Sequence, residues 1–247
     1  MNFQKGRVLR LFAILAGSML LHACDNDDTV VPPPPPPPPP PAMASFDVTM
    51  VNLTNAQPLS PATVIAHQSG YSMFLVGSPA GAGLEEMAEG GDNTALLAEA
   101  TADAAVVVTG SGAAPIGPAG SDTVTLDLLN SERIGLHLSV GTMLVNTNDA
   151  FSGLNGVSVE ALAVGETLQF DALAYDAGTE ADTEMAAHIP GPAGGGEGFN
   201  AARDDQADQV AAHSGVVSQD DGLATSDLTE QHRFDNPVMR ISIERTL

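Results

Sequence analysis

The chain has 247 residues, with 31 Asp and Glu against eight Lys and Arg, a formal net charge of −23. So acidic a chain repels nucleic acid and anionic lipid headgroups, which excludes polyanion binding, and it draws divalent cations. One cysteine and no tryptophan leave a core of Val, Leu, Ile, Ala and Met without disulfides.

In chain order, Lys5, Arg7 and Arg10 precede an apolar run over 11–21. That run is too short to span a bilayer as a lasting helix and fits a secretory signal. It ends in Leu21-His22-Ala23-Cys24, which resembles the lipobox of bacterial lipoproteins. The resemblance implies cleavage of the signal peptide 1–23, diacylglyceryl attachment to the Cys24 sulfur and a palmitate-bearing membrane anchor. It implies a lipid-anchored location in the cell envelope, on the periplasmic or outer surface of a Gram-negative bacterium. Removing 1–23 leaves five basic residues against 31 acidic ones, a formal charge of −26.

Residues 24–45 form a tether. The ten prolines 32–41 lack amide donors and favour polyproline II. At about 3.1 Å per residue they make a semi-rigid stalk of roughly 30 Å.

Residues 46–247 are enough for one well-buried domain. Period-two alternation begins at once in Phe46-Asp47-Val48-Thr49-Met50-Val51-Asn52-Leu53. Further strands are predicted at 63–66, 72–76, 104–108, 123–129, 134–144, 167–175 and 238–244, with Gly, Pro, Asn and Asp between them. One short helical segment is predicted over 83–102, with Leu84, Met87, Ala88, Leu96 and Leu97 on one face and Gly90-Gly91 splitting it. Residues 177–236 form a long acidic, Gly-rich loop region, with a short helix expected over 201–213. The pattern predicts an all-β fold, an antiparallel β-sandwich.

Two segments carry a resemblance. The first is Met143-Leu144-Val145-Asn146-Thr147-Asn148-Asp149-Ala150-Phe151-Ser152-Gly153-Leu154. The second is Tyr175-Asp176-Ala177-Gly178-Thr179-Glu180. With the opening strand, the helical stretch and the closing His232-Arg233-Phe234-Asp235-Asn236-Pro237, they resemble bacterial members of the spondin N-terminal domain family, the module of F-spondin and mindin. The resemblance implies a C2-like β-sandwich holding calcium in loops at one edge, with Asp149, Asp176 and Glu180 as ligands. It implies a non-catalytic binding or adhesion module toward an extracellular or cell-surface ligand. The residue types suit the ion, because calcium takes six to eight hard oxygens from carboxylates, carbonyls and water. Glu180 stands where animal members have Asp, and Ala150 where they have Trp.

Other chemistry is weaker. His67, His137, His188, His213 and His232 include no i, i+4 pair, and none has a Cys neighbour. Hydrogen bonds from His213 and His232 to Asp204, Asp205, Asp208 and Asp235 are expected to tie down the long loop. No G-x-S-x-G elbow occurs, and the Gly-rich 194–198 lacks the Lys of a phosphate loop. The alternative from another class is an envelope hydrolase acting on glycan or peptide through the acidic loop.

Overall fold

A computed structural model describes residues 35–203 and 208–247. The signal segment 1–23, Cys24 and the first prolines lie outside the described residues, as do Asp204 and Asp205. The chain divides into two units, Met1–Pro39 and Pro40–Leu247. In the first unit, the described prolines are exposed and carry no helix or strand.

The second unit opens with β1 (Met43–Asn52), where the apolar residues of the alternation face inward: Phe46, Val48 and Met50 are buried and Asp47, Thr49 and Val51 half-buried. Then come β2 (Thr63–His67), α1 (Ala82–Gly90), α2 (Thr94–Ala102), β3 (Val106–Ser111) and β4 (Ser121–Leu129). They are followed by β5 (His137–Met143), β6 (Ala150–Ser158), β7 (Thr167–Asp176), the two-residue β8 (Ala211–Ala212) and β9 (Met239–Arg245).

Every pairing is antiparallel, in the order β3-β2-β5-β6-β7-β9-β1-β4, with β8 added to β7. Strand β7 serves two halves. Its residues from Thr167 to Ala172 pair with β9, and those from Leu173 to Asp176 pair with β6. The main core lies between the halves and draws on Phe46, Val64, Val140, Ala174 and Ile241. The two end strands also approach: a Cβ on Gly110 of β3 would lie 2.6 Å from Val124 of β4. The sheet is therefore nearly closed, and the all-β expectation holds at this level.

Strand β2 is buried along its whole length because it has two dry faces. Val64 and Ala66 join the main core, whereas Ile65 packs with Leu84, Met87, Leu96 and Ala100 of the two helices. Leu84, Met87 and Ala88 recur at helical spacing on the buried face of α1. The split at Gly90-Gly91 occurs as expected: Gly91 adopts φ 72° and its N–H bonds the Met87 carbonyl, a left-handed cap that glycine permits. Two helices result, not one short segment.

Three other expectations differ from the structure. Residues 72–76 form no strand, because the Asn155 side chain takes their backbone groups: Oδ1 accepts from the Met73 amide and Nδ2 donates to the Phe74 carbonyl. Strand β6 goes unpredicted, its signal diluted by Gly153 and Gly156. The described residues of 201–213 contain no helix; Ala211 and Ala212 pair with β7 instead. The described residues of 177–236 are otherwise turns, irregular stretches and short 3-10 segments around a small core of Ile189, Val216 and Leu228.

Candidate cation site

Sheet register brings the first two carboxylates together. Asp149 ends the loop into β6 and Asp176 ends β7, and Ala150 lies opposite Asp176 in the ladder. The Ala177 amide also bonds the Asp149 carbonyl at 3.3 Å. Asp176 Oδ1 accepts from the Gly178 amide at 2.6 Å, closing a turn. Gly178 holds φ 75°, and a Cβ there would lie 2.4 Å from the Gln209 carbonyl oxygen. A glycine is required at that position. The turn aims the next two amides at Asp149 Oδ2, Thr179 at 2.8 Å and Glu180 at 3.0 Å.

Asp149 is wholly buried, and its other oxygen, Oδ1, has no hydrogen-bond partner among the described residues. Burial, reinforced by Asp176 and Asp182, pushes its carboxyl up to about 7 despite the two amides. Asp176 is also raised, by burial and then by Asp182. A buried carboxylate oxygen without a donor is costly, and a proton or a cation relieves it.

Glu180 takes another direction. Its amide points at Asp149, but its carboxylate makes a close ion pair with Arg203 and lies beside Glu89 of α1. Burial and Glu89 raise its pKa against the pull of Arg203. Glu89 accepts the Asn200 amide at 3.1 Å and lies 3.7 Å from Arg203. Glu180 thus braces the loop against α1.

Two residues not singled out in the sequence, Asp182 and Glu184, border the pair together with the expected His213. Asp182 Oδ1 lies 3.7 Å from Nε2 of the buried His213, whose Nδ1 accepts the Gly215 amide. Burial lowers the His213 pKa, but Asp182, Asp176 and Asp149 outweigh it and the net direction is up. Glu184 is buried, accepts the Val217 amide at 3.1 Å and is pushed up to about 7, chiefly by burial. The alternation Glu180, Asp182, Glu184 was visible in the sequence, although among 31 acidic residues it carried little weight.

Of the other expected partners, His232 instead caps its own turn, its Nδ1 accepting from the Thr229 amide. Among the described residues, no three His, Cys, Asp or Glu side chains already converge as a metal-ligand set. An ion here would take its carboxylates from Asp149 and Asp176 and its other oxygens from carbonyls and water. Among the described residues, no helix is long and apolar enough to cross a membrane. Compared with known proteins, the chain matches no family model and no curated protein.

Proposed function

We propose that the chain is an envelope lipoprotein whose β-domain is a calcium-stabilised, non-catalytic binding or adhesion module. The observation that carries this reading is Asp149, fully buried with one carboxylate oxygen unpartnered and Asp176 alongside in the register. A hard divalent cation would occupy the place otherwise taken by a proton, and binding would couple to folding. The resemblance of 143–154 and 175–180 to the spondin N-terminal domain points the same way, toward a C2-like arrangement with an ion at one edge. Glu180 joins this reading as a brace supplying its amide, with its carboxylate engaged by Arg203.

A hydrolase is the second reading, favoured by the raised carboxyls of Asp149 and Glu184. Both are nearly sealed from solvent, and the cavities at Tyr71–Asp103, Glu230–Asp235 and Thr101–Thr109 are lined by other residues. A substrate-accessible acid is what hydrolysis needs, so the binding-module reading is preferred.

Titration calorimetry and thermal unfolding with and without calcium test the proposal. Calcium at about 100 times Kd should add about 2.7 kcal/mol of stability. Asp149→Asn should abolish both the heat and the gain. No heat in the parent chain, or an unchanged gain in the variant, sinks the metal assignment. Cys24→Ser should slow maturation and release the protein from membranes; unchanged processing refutes the anchor.

A further inference from the structure

A cavity of about 330 Å³ opens between the loop 71–81 and the two helices, sharing no residue with the cation site. Its floor is apolar, with Phe74, Leu84 and Leu96 all buried. Its polar side chains are Tyr71, Ser72, Ser78, Glu99 and Asp103, and no Lys or Arg lines it. Glu99 Oε1 accepts the Gly83 amide and Asp103 Oδ1 the Ala105 amide, each leaving the second carboxylate oxygen without a hydrogen-bond partner among the described residues. Burial first, then Asp103 and Glu99, pushes the Tyr71 hydroxyl up to about 12. Leu75, in the lining, and its chain neighbour Val76 are 58% and 63% exposed.

A cavity with an apolar floor and two carboxylates and a phenol in its walls is complementary to an ammonium group on an alkyl stem. The stem covers the floor, and the ammonium donates to Glu99 and Asp103 with the Tyr71 ring alongside. The volume lies at the low end of ligand sites, roughly 300–1,000 Å³, enough for one long side chain. Val76, outside the lining, offers nothing to a small free amine in the cavity, whereas a polypeptide surface would cover it together with the outer part of Leu75. We propose that this cavity is a docking site for a lysine side chain presented by a partner protein, with Leu75 and Val76 as the adjoining apolar contact. The acidic chain would also hasten the approach of a basic partner.

The test is an NMR titration of the full chain with three probes: acetyl-Leu-Lys-Leu-amide, its norleucine twin and n-pentylamine. The lysine peptide should bind saturably and move the signals of Leu75, Leu84 and Leu96, and the twin should bind at least about tenfold more weakly. E99Q/D103N should weaken the peptide about fivefold, as expected for two exposed ion pairs. D127N/E244Q, the same charge change on exposed positions of β4 and β9, should leave it unaltered. Equal binding of the twin, equal weakening by both double variants, or no saturable shift by about 50 mM peptide overturns the site. Pentylamine binding as tightly as the peptide overturns the partner-protein occupant. If E99Q/D103N does not fold, V76S, on an exposed residue outside the lining, decides: it should weaken the peptide and spare pentylamine, and an unchanged peptide affinity refutes the docking surface.

Discussion

The amide of Glu180 donates to Asp149 Oδ2 at 3.0 Å across 31 residues of chain, while the Glu180 carboxylate turns away to Arg203. One residue therefore serves two neighbours, holding the buried acid through its backbone and α1 through its side chain. Asp149→Ala removes the acceptor for two buried amides and should cost about 3 kcal/mol in urea unfolding. Asp149→Asn keeps an acceptor and discards a buried charge, so without calcium it should be as stable as the parent at about pH 8, or more so. A large loss in the Asn variant would contradict this account.

Stability without calcium should fall as pH rises. Asp149 and Glu184 lie near 7 in the fold, against ordinary values of 3.8 and 4.5. Between those limits the folded state keeps protons that the unfolded state has released, so deprotonation favours unfolding. The contribution is complete below about pH 4 and lost above about pH 7, on the order of 3 kcal/mol. Unfolding curves at about pH 5 and pH 8 measure it, and a chain more stable at the higher pH would disprove it.

Arg203→Ala should destabilise by about 3 kcal/mol at about pH 8, because Glu89 and Glu180 would remain buried without their cation. The loss should shrink at about pH 5, where Glu180, already raised by burial and Glu89, takes a proton more readily. A loss independent of pH would assign Arg203 a packing role alone.

Gly178→Ala should cost at least about 2 kcal/mol, since the new methyl meets the Gln209 carbonyl in a left-handed backbone. It should also weaken calcium binding, because the turn aims the Thr179 and Glu180 amides. Denaturant titration and calorimetry read the two effects separately.

Much of the sheet was legible because alternation is strong where one face is wet. Strands β1 and β4 bury Phe46, Val48, Val124 and Leu126 at every second position. Strand β6 was hidden because Gly153 sits where a Cβ would lie 2.2 Å from the Val140 carbonyl oxygen, a demand of sheet contact that leaves no apolar mark. Asp149 and Asp176 were singled out through motifs, and register explains why they adjoin. The direction of Glu180 was not legible, since it depends on Arg203 and Glu89, neither near it in sequence. His213 was singled out, but Asp182 as its partner was obscured for the same reason: the chain returns only through β8.

Strand β1 lies between β4 and β9, bonded to both along nearly its full length, and Ser45 is further stitched to Thr246 and Leu247. Tension entering the domain at Met43 runs along that strand, parallel to two ladders. Both ladders must shear together, since neither can open one bond at a time from the pulled end. A pull on the domain's leading end is thus shared at once by the two strands that flank β1, and neither ladder carries it alone.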